Sequence, residues 1–66
     1  SMRYKSPVER SLRQAENQLD NLEKQLNALG LPAEQRDALV QLASTAKGQV
    51  KNALNKVELE DEYHGV

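Results

Sequence analysis

The sequence predicts an all-α fold: an antiparallel two-helix hairpin, with helices over about 7–29 and 32–60, that dimerises into a four-helix bundle or coiled coil. Three observations predict it. Apolar residues recur every three or four positions in two segments, the motif Gly30-Leu31-Pro32 separates these segments, and the two ends of the chain carry opposite charge. Because the break between the segments is short, the two helices must run antiparallel.

The first segment carries helix start signals and a regular heptad repeat. Ser6 suits a helix cap, Pro7 suits the first helical position, and Glu9 lies three residues after the cap, as in a capping box. From there the apolar residues alternate between spacings of four and three: Val8, Leu12, Ala15, Leu19, Leu22, Leu26 and Leu29. The stripe is narrow, which is typical of a coiled-coil seam.

The second segment begins at the turn and carries a wider apolar stripe. Gly30 can adopt the left-handed conformation that ends a helix, and Leu31 can fold back onto Leu26. Pro32 then opens the second helix. The predicted stripe is Leu39, Ala43, Ala46, Val50, Ala53 and Val57, with Leu42 on one flank and Val40 and Leu54 on the other. Its alanines would let a leucine-rich neighbour approach closely.

Charge divides the chain into three parts. We interpret residues 1–5 as an expression-tag scar and a basic N-terminal arm, residues 6–60 as the helical hairpin, and residues 61–66 as an acidic, mobile C-terminal tail. In an antiparallel hairpin the basic start and the acidic end lie side by side. Within the first helix we expect the ion pairs Glu9–Arg13 and Asp20–Lys24, each four residues apart.

Two helices alone leave the flanks of these stripes in water, which predicts self-association. A second copy would close a four-helix bundle with twofold symmetry. The alternatives are docking on another helical protein, a longer coiled coil made with an unopened helix, or docking on the remainder of a longer protein. The predicted interface is Val8, Leu12, Ala15, Leu19, Leu22, Leu26, Leu29, Leu39, Leu42, Ala43, Ala46, Val50, Ala53, Leu54 and Val57.

Enzymatic chemistry has no support in the residues. The 66-residue chain has no cysteine, which excludes disulfides and thiolate metal sites. His64 is the sole histidine and falls in the predicted tail, so the hydroxyl groups have no base in an ordered element. We therefore expect no catalytic residues, no cofactor and no metal.

Part of the chain resembles the hairpin of Rop-type plasmid RNA-binding regulators. The resemblance is carried by Leu22-Glu23-Lys24, by Leu26-Asn27-Ala28-Leu29 and by Glu34-Gln35 at the start of the second helix. It implies a short chain that dimerises as an antiparallel four-helix bundle and binds RNA. The sequence departs from that pattern because the outer face of the first helix has no aromatic residue among its polar ones.

Two functions follow as hypotheses. The favoured one is a non-enzymatic protein–protein interaction module that self-associates and acts as an oligomerisation, scaffold or adaptor element. The alternative is a small dimeric nucleic-acid-binding regulator that uses the polar face of helix 1, namely Arg10, Arg13, Gln14, Asn17, Asn21 and Lys24. Acidic residues interrupt that face and the net charge is −1, so nucleic acid is not the favoured partner. The lack of cysteine and of a long apolar run predicts a cytoplasmic protein that does not bind membranes.

Overall fold

Two α-helices make up the computed structural model of this protein. Helix α1 spans Met2–Ala28 and helix α2 spans Ala33–His64. The structure describes the backbone of residues 2–64 and the side chains of residues 7–59. The helices pack along their length as a hairpin, and the molecule is a rod of 52 × 15 × 9 Å. The all-α hairpin predicted from the sequence is confirmed.

The turn between the helices has the backbone conformation that its residues favour. Gly30 has φ 72°, the left-handed conformation that glycine adopts without steric penalty. Leu31 is half-buried against the end of the hairpin. Pro32 is the cap of α2, since its carbonyl oxygen accepts the first helical hydrogen bond from the amide of Arg36 at 2.9 Å. The predicted left-handed conformation of Gly30 is thus confirmed, whereas Pro32 is the cap of α2 and not its first residue, so α2 begins one residue later than predicted.

Ion pairs between the helices demonstrate the antiparallel arrangement. Arg13 of α1 pairs with Glu58 of α2, whereas Asp20, further along α1, pairs with the earlier residue Lys47. As numbers rise in one helix they fall in the other. The Arg13–Glu58 pair also brings the basic start of the chain next to its acidic end, as predicted.

Both helices extend beyond their predicted limits at the open end of the hairpin, whereas at the turn α1 ends at Ala28, one residue earlier than predicted. Pro7 lies inside α1 and not at its first position, and Ser6 is a helical residue and not the predicted cap, because the helix begins at Met2. An interior proline removes the hydrogen bond to the carbonyl four residues earlier and crowds that carbonyl, at a cost of about 3 kcal/mol, yet the helix continues through it. At the other end, residues 61–64 of the predicted mobile tail are helical, whereas residues 65 and 66 lie outside the described part. Acidic residues oppose the helix dipole by only about 0.3–1 kcal/mol each, too little to end α2 early.

The seam between the helices differs from the predicted one in α2. Leu54 and Ala43 are the buried apolar residues of the described region, although the sequence pattern placed Leu54 on a wet flank. Val40, also predicted on that flank, is half-buried, while Leu39 is exposed. At about 100° per residue, α2 is rotated by roughly 60° from the predicted orientation. This orientation buries Leu54 and also allows the ion pairs described next.

Candidate self-association surface

One edge of the hairpin is lined by ion pairs centred on Lys47. Its ammonium group Nζ donates hydrogen bonds to Asp20 Oδ1 and Glu23 Oε2, both at 3.2 Å. Only 20% of the Lys47 side chain is exposed, and the Glu23 side chain is covered to a similar extent. These contacts place Lys47 at the border of the seam, in keeping with the orientation of α2 that buries Leu54.

Further pairs extend the same edge towards the open end of the hairpin. Lys51 Nζ lies 3.9 Å from Glu16 Oε2, and Arg13 Nη2 donates to Glu58 Oε1 at 3.2 Å. The two pairs predicted within α1 are also present, Glu9–Arg13 at 3.6 Å and Asp20–Lys24 at 3.4 Å. We call this edge the charged face; it comprises Glu9, Arg13, Glu16, Asp20, Glu23, Lys47, Lys51 and Glu58.

The contacts at Lys47 shift two pKa values in opposite directions. The hydrogen bond that Lys47 donates to Asp20, followed by the one it donates to Glu23, raises the pKa of Lys47 above its ordinary 10.5. The hydrogen bonds from Lys47 and then Lys24 lower the pKa of Asp20 below its ordinary 3.8. Both shifts favour the charged forms.

These shifts predict a pH dependence of folding. The Lys47 contribution is complete below pH 10.5 and is lost as pH rises through the raised pKa. The Asp20 contribution is present above pH 3.8 and is lost as pH falls through the lowered pKa. Urea unfolding followed by circular dichroism from pH 3 to pH 11.5 will therefore show stability falling at both ends.

A lysine variant isolates the alkaline part of this dependence. In Lys47→Met the loss of stability above pH 10.5 will be smaller than in the wild type. Lys56→Met is the matched control, because Lys56 is an exposed lysine on the same helix. If Lys47→Met and Lys56→Met change the loss of stability above pH 10.5 equally, the contacts of Lys47 do not contribute to the pH dependence of folding.

The opposite edge of the hairpin is apolar and open. Because the ion pairs bring together one edge of each helix, the other edges of both helices also lie on one side. Large side chains are exposed there: Val8 and Leu22 at 43%, Leu39 at 41%, and Leu29 and Leu42 at 67%. With the half-buried residues between them they form what we call the apolar face, which consists of Val8, Ala15, Leu22, Leu29, Leu39, Leu42, Ala46, Ala53 and Val57.

Mostly uncharged residues border the apolar face. Next to it around the helices lie the exposed residues Ser11, Gln18 and Gln25 on one side and Gln35 and Gln49 on the other. All but Ser11 of these are glutamines, and Lys56, seven residues after Gln49, continues the α2 row as a charged residue. The ion pairs lie on the far edge. The two edges of the hairpin thus differ sharply in charge.

The predicted interface divides between two places. Six of its residues lie in the seam of the hairpin itself: Leu12, Leu19, Leu26, Ala43, Val50 and Leu54. The other nine are the apolar face. In α1 this division follows the heptad, since one row points towards α2 and the other points away from it. The sequence pattern missed Lys47, although Val40, Ala43, Lys47, Val50 and Leu54 follow a second heptad that could have signalled it.

The predicted nucleic-acid residues share the outer side of α1. Arg10, Gln14, Asn17 and Asn21 are exposed there. The cations Arg13 and Lys24 at its border, also exposed, pair with carboxylates of the hairpin instead of standing alone. The positive charge available to a phosphate is correspondingly reduced.

Other kinds of site are not apparent in the described part of the chain. Over that part, no three His, Cys, Asp or Glu residues lie together where they could hold a metal ion. Neither helix, as far as its residues are described, is long and apolar enough to span a bilayer. The predicted tail residues Gly65 and Val66, and the side chain of His64, lie outside the described residues.

Comparison with known proteins gives no further guide: no protein-family model, no curated protein and no solved structure matches the chain.

Proposed function

We propose that this protein is a non-enzymatic protein–protein interaction module that self-associates through its apolar face. The observation that carries the proposal is the exposure of five large apolar side chains on one edge of a hairpin whose other edge is closed by ion pairs. An open apolar face of this kind marks an interaction site. Two hairpins joined in this way make a four-helix bundle, which would serve as an oligomerisation, scaffold or adaptor element.

The border of the apolar face favours a second copy as the partner. In a twofold dimer each residue near the axis faces its own kind, so a charged border would place like charges together. The glutamines that border this face avoid that repulsion. A partner of different sequence would instead be selected by complementary charge, of which Lys56 alone is present along these two border rows.

The area of the hairpin is also consistent with a dimer. Its accessible surface is 5252 Å², whereas a globular protein of 7.4 kDa exposes about 4,200 Å². The excess is about 1,000 Å², which is close to the roughly 800 Å² that each partner buries in a standard interface. One further copy would therefore bring the exposed area per chain to that of an ordinary soluble domain.

Nucleic-acid binding stays a weaker hypothesis. The polar face of α1 presents amides together with cations, but the two cations at its border are held by Asp20, Glu9 and Glu58. No aromatic side chain among residues 7–59 could stack on a base.

We propose that the module acts in the reducing cytoplasm, because a chain without cysteine needs no disulfide.

The experiment that tests the proposal is urea unfolding at several chain concentrations. If two folded chains form one unit, each tenfold rise in concentration adds about 1.4 kcal/mol to the stability of the dimer. We expect the unfolding midpoint to rise steadily between 1 and about 100 μM chain. A midpoint that does not move with concentration would contradict self-association and would favour docking on a different protein.

A further inference from the structure

The apolar face is unequal along its length. Near the turn it carries the leucines Leu22, Leu29, Leu39 and Leu42, of which Leu29 and Leu42 are each 67% exposed. Near the open end of the hairpin it carries the smaller residues Val8, Ala15, Ala53 and Val57. One half of the face therefore protrudes, and the other half is shallow.

We propose that a second copy packs on the apolar face with its turn at the opposite end, so that α1 lies over α1 and α2 over α2. The inference rests on the proposed self-association and adds its geometry. The leucine-rich half of each copy then covers the shallow half of the other. Packing large side chains against small ones fills the space between helices without voids.

The residue spacing fits this arrangement in both helices. A twofold axis that crosses α1 between residues 18 and 19 sets Leu29 against Val8 of the second copy and Leu22 against Ala15 of the second copy. A crossing of α2 near residue 48 sets Leu42 against Ala53, and Leu39 against Val57, in the same way. Each exposed leucine of the apolar face thus meets a smaller residue.

The register of the hairpin places both crossings at one height. Asp20 lies within two residues of the crossing in α1, and Lys47 lies next to the crossing in α2. These two residues are in direct contact, at 3.2 Å. One straight axis can therefore pass both points, as twofold symmetry requires.

The arrangement with both turns at the same end fits less well. There α1 of one copy lies over α2 of the other at equal height. Leu22 then meets Ala46, but Leu29 meets Leu39 and Ala15 meets Ala53. Leucines would collide at the turn, and a void would open between alanines at the other end. Overpacking and cavities both destabilise a helical interface.

The two arrangements can be distinguished by the distance between the turns. The chain has no cysteine, so one spin label can be attached to Ala33→Cys, at the exposed start of α2. Ala33 lies 15 residues from the crossing near residue 48. At 1.5 Å per residue the two labels will be about 45 Å apart in the proposed dimer, and under about 30 Å apart when the turns share an end.

The measurement is pulsed electron–electron double resonance on the labelled chain, with its mass determined in the same buffer. Asn52→Cys, which is exposed near the crossing in α2, is the control and gives a distance under about 30 Å in either dimer. A dimeric mass with about 45 Å at position 33 supports the proposal. A dimeric mass with the short distance at position 33 overturns the arrangement and leaves self-association intact, whereas a monomeric mass with no defined distance overturns both.

Discussion

Replacing Leu42 with glutamate will convert the protein from a dimer to a monomer at micromolar concentration. Leu42 is 67% exposed in the hairpin, so the hairpin itself loses little from the change. In the dimer, however, the new carboxylate would lie against the apolar face of the second copy without a partner. Burying an unpaired charge costs several kcal/mol, which raises the dissociation constant by at least about a hundredfold. Size-exclusion chromatography with light scattering measures the change.

Leu59→Glu is the matched control for this prediction. Leu59 is in the same helix and is 63% exposed, but helical spacing places it on the outer surface of α2, away from the apolar face. The same charge on a leucine of nearly the same exposure will leave the mass unchanged. If both variants dissociate, or neither does, the apolar face is not the surface of self-association.

Replacing Leu54 with alanine will unfold most of the protein at 25 °C. Leu54 is only 6% exposed and is the largest buried side chain of the described region. Truncation of a buried leucine costs about 2–5 kcal/mol, which is comparable with the whole stability of a small domain. Far-ultraviolet circular dichroism in a urea titration will show the midpoint falling towards zero denaturant.

Leu59→Ala provides the comparison, because truncation of an exposed leucine changes stability by no more than about 0.5 kcal/mol. Leu22→Ala distinguishes the seam from the apolar face. Sequence analysis gives Leu19, Leu22 and Leu26 equal weight, yet Leu22 is exposed in the hairpin. Its truncation will therefore act mainly on the dimer, and its effect will depend on chain concentration. A Leu54→Ala variant as stable as Leu59→Ala would contradict this placement of the core.

Local signals in the sequence suffice to predict the hairpin and its turn. The heptad of α1 fixes which of its sides is apolar, and Gly30 and Pro32 mark the break because few other residues meet the backbone requirements there. The pairs Glu9–Arg13 and Asp20–Lys24 follow from helical spacing alone. These features depend on residues within one or two turns of each other.

The orientation of α2 could not be predicted in the same way. Two overlapping heptads run through it, one with Leu39, Ala46 and Ala53, the other with Val40 and Leu54. Both heptads contain apolar residues, so hydrophobicity alone does not predict which of them faces α1. The choice depends on contacts between residues far apart in the sequence, among them those that Lys47 makes with α1. A lysine in a seam does not resemble a core residue, so hydrophobic periodicity passes over it.

The limits of the helices were missed for a related reason. Pro7 and the acidic end of α2 both oppose helix formation locally, and the sequence analysis treated Pro7 as a helix start and the acidic residues as a helix end. Each acidic residue opposes the helix by only about 0.3–1 kcal/mol and the proline by about 3 kcal/mol, and in both places the helix continues from turns that are already formed. Local signals therefore place the centre of each helix better than its ends.

Sedimentation equilibrium of the unmodified chain at about 10–50 μM tests the central claim most directly. The account predicts a single species with twice the chain mass of 7.4 kDa, because the apolar face needs a second copy to cover it. A helical, cooperatively unfolding species that sediments at the mass of one chain would contradict it, since the apolar face would then be stable in water by itself.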